Sequence, residues 1–437
     1  MRIVGLISGT SHDGIDIAVV DFQPDADAAR AASAAGHVGA ANATTPVNAT
    51  TPADPVNATT PASATTPADH ADVTGDGLSA RVLFHGTQPY EHTLRERLIA
   101  ALPPAATTLA AVAELDTLIG QAFAGAAQQG IAAAGPVDLI VSHGQTVYHW
   151  VDGTTVFGTL QIGQPAWIAE ATGTPVLSDV RIRDITAGGQ GAPLASTIDA
   201  LLLAGRGGRP AALNLGGISN VTVVADGVVR AWDVGPANAL MDAVVHDRHA
   251  NPLGYDADGA LAAAGTVDPV LLDALLDEPY YRLAPPKSTG KELFHLDHLA
   301  AVLADTGRQG IGTQDLLATL AALTSRTVSD ALASEHLSEL FVSGGGAHNP
   351  VVMAGIAAGL PGVAVRSTAD LGLGADEKEA VLMALIGWLA LHGVPASVPT
   401  ATGARGPRIL GTLTPGSGPL RLPEPRPAPK YLRMVEG

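Results

Sequence analysis

The chain has 437 residues, of which 46% are hydrophobic, 15% charged and 4% aromatic, and its formal net charge is -18. This length suggests two domains or one large one with an aliphatic core, and the acidic balance argues against nucleic acid or an anionic membrane as partner. With no cysteine in the sequence, disulfides, thiol nucleophiles and Cys-based zinc or iron–sulfur sites are all excluded.

Met1 leads straight into a strand-like run, with no basic segment followed by an apolar one. The longest uninterrupted apolar stretch, "AVLMALIGWLALHG" (Ala380 to Gly393), is too short to span a bilayer, so a cytoplasmic location is expected. "MRIVGLIS" and "IDIAVVDF" read as two strands rich in β-branched residues. Between them, "GLISGTSHDGID" is longer and more polar than a plain hairpin turn requires. Glycines there let backbone N–H groups approach an anion without Cβ obstruction, and the hydroxyls of Ser8, Thr10 and Ser11 add donors. Asp13 and Asp16 cannot face phosphate directly, but either suits a hydrated Mg²⁺. The bland alternative is a polar hairpin with Asp and Gly as turn formers.

From about Pro24 to Ala80 the composition shifts to Ala, Thr, Pro, Asn and Asp, with A-T-T-P beginning at Ala43, Ala49, Ala58 and Ala64. Lacking large apolar side chains, this segment reads as a disordered surface insertion. It carries N-A-T sequons at Asn42, Asn48 and Asn57. A glycosylated surface protein would use them, but chance within the repeat is the simpler account. Strand patterning resumes at "ARVLFHGTQPY".

Beyond Tyr90, helical and strand-like segments alternate, which indicates an α/β architecture. "TLAAVAELDTLIGQAFAGAAQQGI" is a predicted helix and "VDLIVSHGQTVYH" opens as a buried strand. "AALNLGGISNVTVVADGVVRAWDVG" reads as a strand, a turn and two further strands. "DLLATLAALTSRTVSDALA" is a helix, "SELFVSGGGAHNP" a strand entering a glycine loop, and "ADEKEAVLMALIGWLALHG" a long helix. Asp376, Glu377 and Glu379 are expected in its first turn and Gly393 at its end. The opening hairpin and "AALNLGGISNVTVVADG" share one plan, a pattern that suits two half-domains clamping a ligand.

Common signatures are absent. "PPKSTGKE" has Pro285 where a P-loop needs its first Gly, no G-x-G-x-x-G follows a strand, and neither G-x-S-x-G nor H-E-x-x-H occurs. "SHGQTVYHW" aligns His143, Gln145, Val147 and His149 on one face, where a structural or substrate-binding histidine is a better reading than a metal site. "SDVRIRDITAGGQGAPLA" sets Asp179, Arg181, Arg183 and Asp184 before a glycine cluster. A carboxylate beside such a close-approach backbone suits a general base.

In order along nearly the whole chain outside the insertion, "GLISGTSHDGID", "SHGQTVYH", "TLQIGQPAWIAEATGTPV", "SDVRIRDITAGGQGAPL", "NLGGISNVT", "DVGPANALMDA", "PPKSTGKELF", "LFVSGGGAHNP" and "GADEKEAVLMALIGWLA" resemble the anhydro-N-acetylmuramic acid kinases. These belong to the sugar kinase–actin–heat-shock chaperone superfamily. The resemblance implies an α/β, two-domain actin-like/ribonuclease H-like ATPase fold with ATP in an interdomain cleft. Residues 1–205 would form the first domain and 206–375 the second, with 376–437 a C-terminal helix and tail returning to the first. It implies ATP and Mg²⁺ as cofactors, a sugar as small-molecule substrate, and a homodimer as the assembly to test. The reaction implied is hydrolytic opening of the anhydro sugar with phosphorylation of O6, giving N-acetylmuramic acid 6-phosphate and ADP.

By the same resemblance, Gly9, Thr10, Ser11, His12, Asp13, Gly14, Ile15 and Asp16 form the first phosphate loop, with Asp13 and Asp16 managing the metal. Asn214, Gly216 and Gly217 form the second, and Gly344, Gly345 and Gly346 approach the nucleoside. Asp184 is the catalytic base, and His143, Gln145, Arg181, Gly189, Gln190 and Asn238 contact the sugar. Four positions depart from the family pattern: His12 stands for an apolar residue, Val234 and Ala237 for Thr and Gly, and Ala322 for a Glu. The His12 side chain is expected to pack beneath the hairpin. A sugar kinase acting by direct transfer to a hydroxyl, and a sugar-binding regulator without catalysis, are the competing readings.

Overall fold

The computed structural model describes residues 1–9, 12–25, 77–153, 155–290 and 293–436. Its first sheet is built on β1 (Arg2–Ser8) and β2 (Gly14–Pro24), which pair antiparallel, with β3 (Leu78–Pro89) antiparallel to β2. β4 (Leu139–Asp152) runs parallel to β1, and β5 (Thr155–Ile162) folds back on its outer half. β6 (Val176–Ser178) continues the sheet parallel to β4.

The second sheet repeats the arrangement. β7 (Pro210–Leu215), β8 (Ile218–Ala225) and β9 (Val228–Pro236) form an antiparallel meander. β10 (Glu339–Ser343) lies parallel to β7, and β11 (Ala364–Ser367) parallel to β10. The order β6–β4–β1–β2–β3 thus matches β11–β10–β7–β8–β9, with the same strand senses. Late segments rejoin the first sheet: β12 (Thr412–Thr414) pairs with β6 and β13 (Leu432–Met434) with β3.

Central strands covered on both faces bury nearly every residue, which is why β1 and β7 read as continuous apolar runs and not as alternation. Helix Leu109–Ala134 covers one face of the first sheet through Leu115, Ile119, Phe123 and Ala127. Among the described residues it is the helix long and apolar enough, by length and composition, to cross a membrane. One of its faces is committed to this core, where a Cβ on Gly130 would stand 3.1 Å from Val19. Helix Lys378–Leu391 covers the opposite face. It sits so close that a Cβ on Gly5 would lie 1.9 Å from the Ala380 carbonyl oxygen.

That helix starts at Lys378, so Asp376 and Glu377 precede it and Glu379 alone is in its first turn. Asp376 instead faces His348, Nε2 to Oδ2 at 3.0 Å. The expected insertion is also trimmed at both ends, because β2 runs to Pro24 and β3 begins at Leu78. Asp25 N–H donates to the Gly77 carbonyl at 2.9 Å, closing the stem. The Asp25 carboxylate accepts from Tyr431 Oη at 3.0 Å and pairs with Arg433. The sequons and A-T-T-P repeats lie outside the described residues.

Where the two sheets meet, Lys378 Nζ pairs with Asp199 at 2.6 Å, both side chains 3% exposed. Thr222 Oγ1 donates to the other Asp199 oxygen at 2.8 Å, and Lys378 Nζ to Ser343 Oγ at 3.3 Å. Buried charges need such partners, since desolvation would otherwise exceed what the pair returns.

Candidate active site

The first hairpin loop rests on a buried polar network. Ser8 Oγ lies 2.8 Å from the Gly14 carbonyl oxygen and 2.7 Å from Gln145 Oε1, and Tyr90 Oη donates to the same amide oxygen at 3.4 Å. Gln145 Nε2 donates to the Gly9 and Thr146 carbonyls at 3.4 and 3.3 Å. Both ends of this amide are therefore engaged and the residue is 1% exposed, so Gln145, expected on the sugar side, is tied to the first loop. Tyr90 N–H accounts for the Asp13 carbonyl at 3.0 Å.

His12 has φ 56 and is partly buried. Its carbonyl accepts from Arg95 Nε at 2.8 Å. A left-handed backbone explains the residue: His adopts it more readily than a bulky apolar side chain. Asp13 is exposed, whereas Asp16 is partly buried on β2 and accepts from Thr87 Oγ1 at 2.7 Å. Burial pushes the Asp16 carboxyl above the usual range, and the charge of Asp13 adds to this, against the Thr87 hydrogen bond. Thr10 and Ser11 lie outside the described residues.

In the second sheet the turn after β7 is held from behind. Asn238 N–H donates to the Gly216 carbonyl at 3.0 Å and Ala237 N–H to Gly217 at 2.9 Å. Asn238 Nδ2 reaches the Leu215 carbonyl at 3.2 Å. Asn238, expected on the sugar side, is thus grouped with this turn and with Gly345 and Gly346. Gly344 has φ 82, and a Cβ there would stand 2.5 Å from Asn214 Oδ1; one on Gly346 would stand 2.7 Å from Leu215 Cβ. Two of the three glycines are therefore fixed by close packing, and the exposed Gly345 is the one with space.

Asp184 sits on the short helix Ile182–Ile185 and is 0% exposed. Its Oδ2 accepts from Gly191 N–H at 2.9 Å and its Oδ1 from Thr402 Oγ1 at 2.8 Å. Any side chain at Gly189 would enter the carboxylate, at 2.2 Å from Oδ2. Arg181 Nε donates to His143 Nε2 at 2.8 Å and its Nη1 to the Gly191 carbonyl at 2.7 Å. Because Arg is a donor only, the His143 proton is on Nδ1, which faces the Gly144 carbonyl at 2.9 Å. Burial, reinforced by the Arg181 charge, pushes His143 down to about 3, so it is neutral near pH 7.

Contacts cross between the sheets at this point. Ser288 Oγ, on the segment between the turn Pro279–Arg282 and helix Leu296–Asp305, donates to Gln190 Oε1 at 2.7 Å. Asn214 Nδ2, at the end of β7, donates to Glu379 Oε1 at 3.3 Å. Burial raises the Glu379 carboxyl, Asp16 raises it further, and Arg181, Lys378 and Asn214 oppose the shift. Burial also lowers Arg181, against the charges of Glu379 and Asp233. Glu379, Asp16 and Arg181 thus share one electrostatic environment between the two glycine turns.

Sequence reasoning assigned no role to Glu379 beyond the helix dipole, and none to Thr402, Ser288 or Tyr90. The strings "GADEKEAVLMALIGWLA" and "PPKSTGKELF" carried the family resemblance and so pointed at Glu379 and Ser288. Nothing marks Thr402 in "SVPTATGARGP". Ala322, on helix Thr313–Leu332, is partly buried and offers no polar atom where the family pattern has Glu.

A model of the anhydro-N-acetylmuramic acid kinase family matches residues 64–416. The anhydro-N-acetylmuramic acid kinase of Streptomyces coelicolor is 47% identical over 441 residues, covering 100% of both chains. The Rhodococcus erythropolis protein of the same name is 44% identical over 99% of each chain. That of Xanthomonas axonopodis pv. citri is 44% identical over 75% of this chain and 88% of its own. A ROK family glucokinase structure from Streptomyces griseus, in complex with glucose and AMPPNP, aligns with 12% identity and TM-score 0.34 over 88% of this chain and 99% of its own. A likeness that slight carries no argument. The sequence matches put the chain among the kinases. It belongs to the anhydro-N-acetylmuramic acid kinase family.

Proposed function

We propose that this chain uses ATP and water to convert 1,6-anhydro-N-acetylmuramic acid into N-acetylmuramic acid 6-phosphate and ADP, in cytoplasmic recycling of peptidoglycan. The observation that carries this reading is the Asp184 carboxylate, buried beside the Gly188–Gly191 loop and next to contacts that join the two glycine turns. Water attacks C1, the C1–O6 bond breaks, and O6 takes the γ-phosphoryl group as ADP leaves. Asp184 takes the water proton. Its oxygens each accept one protein hydrogen bond, which leaves lone pairs for that proton.

Arg181, held by His143 and Gly191, orients the sugar, and Gly189 and Gln190 form the wall beside it. The two turns, Gly9 to Asp16 and Asn214 to Gly217, contribute N–H donors to the phosphates, and Gly345 leaves space for the nucleoside. Asp13 and Asp16 are hard oxygen donors. One or two such carboxylates, completed by phosphate oxygens, would suit Mg²⁺. When bound, Mg²⁺ offsets phosphate charge. We assign residues 1–205 and 376–437 to one domain and 206–375 to the other, and place the protein in solution as a homodimer.

The test is turnover of the anhydro sugar in ¹⁸O-water, with ring-opened N-acetylmuramic acid as control. Label at C1 of the product is expected, with a loss of about a hundred- to ten-thousand-fold in kcat for Asp184→Asn and retained ligand binding. Equal phosphorylation of the ring-opened sugar without incorporation of label would favour direct transfer. Binding of both ligands without turnover would favour a regulator.

A further inference from the structure

Thr402 reaches Asp184 from the far end of the chain. It closes the short helix Pro399–Thr402, is 2% exposed, and donates its hydroxyl proton to Asp184 Oδ1 at 2.8 Å. The same oxygen accepts from Ala404 N–H at 3.4 Å, so the hydroxyl links the backbone to the carboxylate. The Thr402 carbonyl accepts from Gln190 N–H at 2.9 Å, and Arg405 N–H donates to the Ala187 carbonyl at 2.9 Å. Residues 399–405 are therefore laced to the glycine loop on both sides of the carboxylate. The Thr402 hydroxyl on Oδ1 and the Gly191 N–H on Oδ2 together fix the plane of the carboxylate.

We propose that Thr402 is the positioning residue of the catalytic carboxylate, holding Asp184 aimed at the attacked carbon through one directed hydrogen bond. This rests on the reading of Asp184 as the base. Charged or titratable groups on the packed elements are Arg181 and Arg183 on the Asp184 turn, His143 and His149 on β4, Arg405 on the tail, and Asp233 across the cleft. None bonds to the carboxylate, whose hydrogen-bond partners among the described residues are Gly191 and Thr402. Among the described residues Thr402 is thus the side chain that holds it directly.

The experiment compares the pH profiles of kcat/KM for the full chain and for Thr402→Val, Thr402→Ala and Thr402→Ser, with Asp184→Asn measured alongside. Loss of the hydroxyl in Val and Ala is expected to lower kcat and kcat/KM about tenfold or more across the profile, with KM for the anhydro sugar within about twofold. Ser is expected to restore both. Val and Ala profiles that superimpose on the parent, with Asp184→Asn inactive, overturn the Thr402 assignment alone. A Ser variant as impaired as Val also overturns it, since the methyl group would then be what matters. An active Asp184→Asn overturns the base itself. Should Val fail to fold, the Ala and Ser pair decides.

Discussion

The two sheets are built to one plan and finished differently. In each, an antiparallel meander is extended by two parallel strands, and a small-residue turn joins the first two strands. In the first lobe that turn runs from Gly9 to Asp13 and leans on a buried network of side chains, Ser8, Gln145 and Tyr90. In the second lobe it is only Gly216 and Gly217, backed by main-chain N–H groups of residues 237–239 and by the packed glycines Gly344 and Gly346. The next connection differs more. β8 and β9 are joined by Asp226 and Gly227, both at positive φ as a two-residue hairpin turn requires, while β2 and β3 are joined through residues 26–76. Side chains can be exchanged for others, whereas a backbone brace tolerates almost no added atom. The second turn is therefore the rigid partner and the first the adjustable one.

The largest effect should come from the rigid side. Gly346→Val would drive its side chain into Leu215, and a loss of about 3 kcal/mol or more in urea unfolding is expected. A variant that unfolds like the parent would show that the second turn yields as the first does. Gln145→Leu should cost about 1–3 kcal/mol, because Ser8 loses a buried acceptor, and should raise KM for ATP more than KM for sugar. The opposite split of KM values would return Gln145 to the sugar side.

Titration offers a finer contrast. His143 lies on β4, and β10, the corresponding strand, ends in Ser343 and carries no histidine. Its folded value of about 3 is below the unfolded value near 6.5, so the folded protein holds fewer protons between them. Stability should therefore fall as pH drops from about 6.5 toward 3, by up to about 1.4 kcal/mol per pH unit from this group. His143→Gln should flatten that slope, and an unchanged slope would assign it to other groups. The smallest effect belongs to the β2–β3 connection. Replacing residues 26–76 by an Asn-Gly turn should move Tm by less than about 2 °C, since Asp25 and Gly77 already meet at 2.9 Å. A drop of ten degrees would mean that the segment packs on the lobe.

Local patterns made the elements visible: apolar runs marked β1 and β7, and the glycine clusters marked both turns. The equivalence of the two lobes was visible only as a repeated plan, because strand order depends on pairings such as Leu213 with Val342 that are far apart in sequence. Gln145 and Asn238 illustrate the limit at the site. Each lies in the right segment, but which side chain an amide meets depends on Ser8 or Leu215, and no spacing rule reports that. Glu379 looked like an N-terminal helix charge and is one, yet its position between Asn214 and Asp16 follows from how the helix crosses the junction. Thr402 lacked any signal, since a threonine before a glycine is ordinary in a loop.

Return of the late segments to the first sheet sets an order of assembly. Strands β7 to β11 and the helices between them are contiguous, so the second lobe can close as soon as it leaves the ribosome. The first lobe begins earlier and finishes later: helix Lys378–Leu391 must cover the open face of β1, and Thr402 must arrive beside Asp184. Until then the nascent chain exposes an apolar sheet face and an unfinished carboxylate. The stretch that completes the sheet is therefore also the one that brings Thr402 to Asp184.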